Sequence, residues 1–218
     1  MKILIKFPTR DRPEKFLNTL NRYYEMSANI DNLNFLISCD IDDDTMNNSR
    51  MLDILKSYKN LTVDFRSNKN KIEAVNSGIS EYTSSYDIIL LASDDMIPVE
   101  VGYDNIIIKV MERYFPDGDG VLWFNDGLQG MKLNTLCILG KKYYDRFGYI
   151  YYPEYKSLYC DNEFTEVSKN LDKVVYCDKV LIMHNHPGHV NLFDDLYRKN
   201  DSYANEDMLL WITRSKLI

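Results

Sequence analysis

The stretch Ile88-Ile89-Leu90-Leu91-Ala92-Ser93-Asp94-Asp95 decides the fold class of this chain. Five apolar residues are too few for a helix of their own, and with no polar position among them they leave no face for water. Such a run, closed by a Ser-Asp-Asp turn, reads as a strand buried on both sides. Working outward, the same alternation recurs. Upstream, Ile72, Val75 and Ile79 mark a helix, Leu61 to Phe65 alternates like a strand, and Met51, Leu52, Leu55 and Tyr58 mark another helix. Before them stand a strand at Phe35-Leu36-Ile37, a helix opened by Pro13 with Phe16, Leu17, Leu20 and Tyr24 on one side, and a strand from Lys2 to Phe7 closed by Pro8. Downstream, Val101 to Tyr114 reads as a helix, Asp117-Gly118-Asp119-Gly120 as a turn and Val121 to Phe124 as a strand. Strand followed by helix, repeated this often, predicts an α/β fold: a mostly parallel sheet with helices on both faces. Past Asn125 the pattern loosens, with a strand at Leu136 to Leu139, a helix from about Asp161, a strand at Val180 to Met183 and a polar C-terminal helix. No linker rich in Pro, Gly or Ser interrupts it, so residues 1–218 are read as a single domain, with 1–125 and 126–218 as its two halves.

Composition narrows the function. With 45% hydrophobic residues the chain can build a core, which excludes wholesale disorder. Its 33 acidic against 26 basic side chains argue against duplex DNA as a partner, because phosphate neutralisation needs clustered Lys and Arg. Lys69, Lys71 and Arg66 form only a loose basic group, read as a solvated loop. No apolar run approaches the roughly 18 to 20 residues of a transmembrane helix, and Ile3-Leu4-Ile5 is too short for a signal-peptide core. The expectation is a soluble cytoplasmic protein. Cys39, Cys137, Cys160 and Cys177 are scattered without CxxC spacing, which predicts buried reduced thiols.

In open α/β sheets, ligands bind beyond the carboxyl ends of the strands. There the first strand ends in Phe7-Pro8-Thr9-Arg10, the second in Ser38-Cys39-Asp40 and the fourth in Ser93-Asp94-Asp95. Neither a P-loop nor a GxGxxG turn is present, so the common phosphate cradles are absent. Carboxylates alone would repel a diphosphate, so their convergence suggests a bridging divalent metal.

Pro8-Thr9-Arg10 with Arg12-Pro13, Asp40, Asn70 to Gly78, Ile88 to Asp95, Asp161-Asn162-Glu163-Phe164 and His184-Asn185-His186-Pro187 occur in an order that resembles the GT-A fold glycosyltransferases, in particular the family 2 nucleotide-sugar enzymes. The resemblance covers nearly the whole chain, and its weight lies in the order of the motifs rather than in any one of them. It implies a Rossmann-like sheet with the nucleotide-sugar cleft at the carboxyl edge, a nucleotide-binding half followed by an acceptor-side half, and metal-dependent inverting sugar transfer from a UDP-sugar donor with Mn²⁺ or Mg²⁺ as cofactor. Residue by residue, it implies that Pro8, Thr9 and Arg10 lie against the nucleotide, Asp40 accepts from the base or ribose, and Asn76 stands near the diphosphate or sugar. Asp94 would hold the metal, with Asp95 supporting it or touching the sugar.

One departure matters. The family usually carries another aspartate two residues before Asp94, and Ala92 stands there. His184 and His186 are the candidate replacements, since residues two apart in extended chain share a face. A structural role before Pro187 is the alternative. Asp161 resembles the general base of inverting members, with Glu163 as the other candidate; the two are about 200° apart round a helix and cannot share a face. A helix cap is the plain alternative for Asp161. The tyrosines between Tyr143 and Tyr159 offer either a sugar-stacking platform or core packing. Two other functions fit the same carboxylates: a nucleotidyltransferase acting on a sugar phosphate, and a non-catalytic nucleotide- or carbohydrate-binding homologue.

Overall fold

A computed structural model describes residues 1–185 and 195–218. In chain order the strands are β1 (Ile3–Thr9), β2 (Leu33–Asp40), β3 (Leu61–Arg66), β4 (Ile88–Leu91), β5 (Met96–Pro98), β6 (Val121–Asn125), β7 (Ile138–Gly140), β8 (Val174–Val180) and β9 (Ile182–His184). The helices are α1 (Pro13–Glu25), α2 (Ser49–Lys56), α3 (Lys71–Asn76), α4 (Tyr103–Tyr114), α5 (Lys141–Phe147), α6 (Cys160–Asn170), α7 (Asp195–Asp201) and α8 (Ala204–Arg214). One sheet runs in the order β3-β2-β1-β4-β7-β6-β8, and β5 pairs with β9 in a separate two-stranded ladder. The first four neighbours are parallel; β7 is antiparallel to both β4 and β6, so β6 and β8 run in the direction of β4.

Alternation along each strand splits the core into two layers. Ile3, Ile5, Phe7, Phe35, Ile37, Ile88 and Leu90 pack with Phe16, Leu20, Met51, Tyr103 and Ile107, which puts α1, α2 and α4 on one face. Leu4, Leu36, Ile89, Leu91, Val121 and Leu139 pack with Ile72, Val75, Tyr143, Tyr144 and Phe164, which puts α3, α5 and α6 on the other. Burying a large apolar side chain of this kind contributes about 1.5 to 3 kcal/mol, so both faces of the sheet carry stability. The helix starts are written locally. Pro13 opens α1, Asn48 Oδ1 accepts from Met51 N at 2.9 Å, and Asn70 Oδ1 accepts from Glu73 N at 3.0 Å. Glu73 Oε2 also accepts from Lys69 N, one residue before the cap, at 2.8 Å.

Several boundaries differ from the sequence expectation. Pro8 does not close β1, which continues to Thr9. Beyond Lys6, β1 is paired with β2 only, so a residue without an N–H leaves no gap on the side where β4 has ended. α4 starts at Tyr103 rather than Val101 because Gly102, in the left-handed region at φ 76°, makes the turn. The expected strand from Leu136 lies at Ile138–Gly140, the strand expected at Val180 to Met183 is divided between β8 and β9, and the C-terminal helix is two helices. The four cysteines are free thiols, three of them buried. Among the described residues no helix is long and apolar enough to cross a membrane.

Lys6 is the odd member of the core. It sits fully buried on β1, donating to Ser38 Oγ and, at 2.6 Å, to the carbonyl of Ser77 at the end of α3. Burial lowers its pKa from 10.5 to about 7, against an opposing pull from Asp64. The unfolded chain therefore holds this proton up to about pH 10.5 and the folded chain only up to about 7. In that window the unfolded state binds more protons, so stability rises with pH. Lys6→Met removes the titrating group. Its stability relative to the wild type should be most favourable below pH 7 and should decline steadily towards pH 10. Urea unfolding of both proteins at pH 6.5 and 9.5 measures this, and a difference independent of pH would contradict it.

Candidate functional site

The parallel strands end on one side of the sheet, and a cleft of about 290 Å³ opens there. Pro8, Thr9 and Arg10 from the end of β1, Asp40 from β2, and Ser93, Asp94 and Asp95 after β4 line it. Asp161 in the first turn of α6 and His184 at the end of β9 line it as well, with Lys71 from α3 and Lys199 from α7. The acids and the arginine that the sequence sends to this edge thus meet in one cavity.

On the β1–β2 side the groups lock each other. Arg10 donates to Asp40 Oδ2 at 2.7 Å and to both oxygens of Asp42 at 2.7 and 3.1 Å. Asp40 Oδ1 accepts from the side chain of Asn68 at 2.7 Å. Thr9 Oγ1 is buried and has no hydrogen-bond partner among the described residues, a rare state for a buried hydroxyl and one that suits a ligand-facing group.

The two acids after β4 diverge within a turn closed by Met96 N donating to the Ser93 carbonyl at 3.1 Å. Asp94 faces the guanidinium of Arg12, with Nη1 3.4 Å from each carboxylate oxygen. Burial raises the Asp94 pKa, and Arg12 pulls the other way. Asp95 accepts from Ser93 Oγ and lies with Oδ2 3.8 Å from His184 Nε2. The reason for that approach is the small ladder: β5 begins immediately after Asp95, and its Met96 pairs with His184 of β9. His184 N donates to the Asp126 carbonyl at 2.8 Å, and Asn185 N donates to the Asp95 carbonyl at 2.7 Å.

Behind His184 stands Asp126, which the sequence reading passed over. Its Oδ1 accepts from the backbone N–H groups of Leu128, Gln129 and Gly130 at 2.9, 2.7 and 3.2 Å. Its Oδ2 accepts from Thr135 Oγ1 at 2.6 Å and lies 3.4 Å from His184 Nδ1. Burial opposes the charge on Asp126, but these hydrogen bonds hold its pKa well below the usual carboxylate range. For His184 burial lowers the pKa, and Asp126 and Asp95 outweigh it, raising it to about 9. The strand-end rule that selects Asp40 and Asp94 applies equally to Asn125-Asp126 after β6, because β6 points to the same edge. That signal was present.

The donor set suits a divalent cation. Asp95 offers an oxygen and His184 Nε2, once a metal displaces its proton, a nitrogen, while the carboxylate behind Nδ1 orients the ring as metal-bound histidines require. No cluster of three metal-ligating side chains occurs among the described residues, so further ligands have to come from a bound diphosphate or water. His186, the second candidate imidazole, lies outside the described residues, as does His189.

Asp161 and Glu163 part as their spacing demands. Asp161 faces the cleft. It is not the N-cap, since α6 starts at Cys160 after Tyr159, and its Oδ1 accepts from Asn162 N at 3.0 Å. Burial raises its pKa, with Lys71 opposing. Glu163 does not reach the cleft. Its oxygens each accept from Arg214 at 2.7 Å, and Oε2 also accepts from Tyr155 Oη at 2.9 Å. This carboxylate joins α6 to α8. Asn76 is also absent from the cleft wall. It ties α3 to the segment before α6, donating to the Tyr151 carbonyl at 2.7 Å and accepting from Ile150 N at 3.0 Å and Tyr151 N at 3.2 Å. Tyr143, Tyr144, Tyr151 and Tyr155 are core residues, and Trp123 is buried too.

No family model matches the chain, and no curated protein does. Solved structures do. The mannosyltransferase PcManGT from Pyrobaculum calidifontis, in complex with GDP-Man and Mn²⁺, matches with a TM-score of 0.65 and 12% identity over 84% of this chain. S. aureus TarS in complex with UDP matches with a TM-score of 0.65 and 14% identity over 84%, and TarS with UDP-GlcNAc with 0.64 and 14% over 84%. The chain spans 56, 60 and 58% of those three chains. These likenesses identify the architecture as the GT-A fold.

Glu163→Ala should show the division of labour between the two acids. It unpairs Arg214 in a largely buried setting, and should lower the unfolding free energy by about 2 to 4 kcal/mol without changing nucleotide affinity in protein that remains folded. Denaturant titration and calorimetry measure the two effects. Unchanged stability with lost binding would contradict this assignment.

Proposed function

We propose that the cleft binds a nucleotide-sugar, most simply a UDP-sugar, and transfers its sugar with inversion to an acceptor hydroxyl. The observation that carries the reading is the presence in one cleft of Asp161, a carboxylate whose pKa burial raises, and of the Asp95–His184 pair. A group able to take a proton thus shares a cavity with groups able to hold a diphosphate. The GT-A fold supports it, and so do the neighbours' ligands, which are GDP-Man with Mn²⁺, UDP and UDP-GlcNAc.

In this reading Thr9 and Arg10 border the nucleotide, and Asp40 fixes Arg10. Lys71, Lys199 and Arg12, whose guanidinium Asp94 positions, offset the charge of the diphosphate. Asp95 and His184 would hold the divalent metal, and Asp126 keeps the imidazole ring in place. Bound there, Mn²⁺ or Mg²⁺ would supply Lewis-acid neutralisation of the departing diphosphate. Asp161 takes the proton of the acceptor hydroxyl as its oxygen bonds to the anomeric carbon. The electron pair of the broken bond leaves with the nucleotide diphosphate. A pKa raised by burial strengthens Asp161 as a base. The sequence reading assigned the metal to Asp94; the pairing of Asp94 with Arg12 and of Asp95 with His184 supports moving that role to Asp95.

Two measurements test the proposal. UDP should raise the melting temperature with Mn²⁺ and much less in EDTA, since a ligand that binds only the folded state stabilises it. Asp95→Ala should lose that metal dependence, and Asp94→Ala should retain it. The opposite outcome would return the metal to Asp94, and a UDP response indifferent to EDTA would remove the metal altogether. Asp161→Asn, which can still accept from Asn162 N, should keep UDP binding and lose transfer by roughly 10²- to 10⁴-fold. Near-normal transfer would take the base role from Asp161.

A further inference from the structure

Just before Asp161, residues 156–159 form an irregular segment between the buried Tyr155 and Cys160. Ser157 is 2% exposed and lines the cleft, yet its hydroxyl has no hydrogen-bond partner among the described residues. Buried polar side chains are seldom left this way, because an unsatisfied hydroxyl costs stability in the unliganded protein. The main chain around it is held by hydrogen bonds. Asp207 of α8, itself fully buried, accepts from three successive backbone N–H groups: Lys156 at 2.9 Å, Ser157 at 2.8 Å and Leu158 at 2.8 Å. Cys160 Sγ points to the Ser157 carbonyl at 3.7 Å. Between them Tyr159 is held in the left-handed region, at φ 58°, a conformation that bulky residues adopt only where the surroundings enforce it.

We infer that Ser157 is a sugar-binding residue, its hydroxyl exchanging a hydrogen bond with a ring hydroxyl of the donor sugar. The inference rests on the nucleotide-sugar reading of the cleft and names a contact within it. The charged end of the donor belongs with Arg10, Arg12 and the Asp95–His184 pair at the strand ends. Ser157 belongs instead to the segment that delivers Asp161, and its hydroxyl suits a neutral partner that, like itself, both donates and accepts. A sugar hydroxyl is such a group. Asp207 is the positioning residue that fixes the serine before any ligand arrives.

The test is calorimetric titration of wild type and Ser157→Ala with UDP, UDP-GlcNAc, GDP and GDP-Man in Mn²⁺, together with the melting temperature of each unliganded protein. In the variant the nucleotide diphosphates should bind as they do to wild type, and the nucleotide-sugar that wild type prefers should bind about 3- to 10-fold more weakly, the worth of one neutral hydrogen bond. The unliganded variant should melt at the same temperature or higher, because an unsatisfied hydroxyl has been removed. Equal weakening of nucleotide and nucleotide-sugar, no weakening of either, or a lowered melting temperature would each overturn the role of Ser157 while leaving the cleft's function intact. A wild type that binds none of the four compounds would overturn the nucleotide-sugar reading and this inference with it.

Discussion

The site depends on a difference in strand length set by backbone hydrogen bonding. β4 ends at Leu91, in register with Lys6, whereas β1 carries on to Thr9 beside β2. Three residues of β1 therefore stand without a partner on the β4 side, and the turn Ser93-Asp94-Asp95 falls beside them. A β4 as long as β1 would place its acids further from the sheet, out of reach of Arg12 and the β5–β9 ladder. Pro8 belongs at this step, where a missing N–H costs nothing on the open side.

From that step, short-range pairing carries order across the molecule. The β5–β9 ladder brings His184, from near the end of the chain, to the flank of Asp95. Asp126 closes its own loop with three backbone donors and turns its second oxygen to Thr135 and the imidazole. Asp207 does the same for the segment leading to Asp161. Two buried carboxylates saturated by backbone N–H groups thus frame the cleft from the half of the chain with the weakest periodicity. Hydrogen bonds of this charged kind are stronger than neutral ones, and they let an irregular segment hold a side chain in place.

The first half of the fold was legible because strands buried on both faces are written as apolar runs, and the capping residues Pro13, Asn48 and Asn70 lie where local rules expect them. β8 was not, because it is an edge strand: Val174-Val175-Tyr176-Cys177-Asp178-Lys179 is half-exposed and carries no continuous apolar signature. At the site, the strand-end rule found Thr9, Arg10, Asp40, Asp94 and Asp95, and helical geometry anticipated that Asp161 and Glu163 would face apart. The partners were hidden. Nothing in the order of residues pairs Asp94 with Arg12, Asp95 with His184 or Glu163 with Arg214, since each depends on tertiary packing. Asn76 illustrates the converse: a polar residue in a suggestive motif is occupied by the backbone of residues 150 and 151.

On this reading a nucleotide diphosphate binds at the carboxyl edge, spanning the ends of β1 and β4. Amide hydrogen exchange with and without saturating UDP and Mn²⁺ tests it most directly, because protection reports where the ligand orders the chain. Slowed exchange is expected at residues 9–12, 93–96 and 182–185, with the aromatic walls around Phe147 and Tyr152 unchanged. Protection confined to those aromatic walls, or none at saturating ligand, would contradict it.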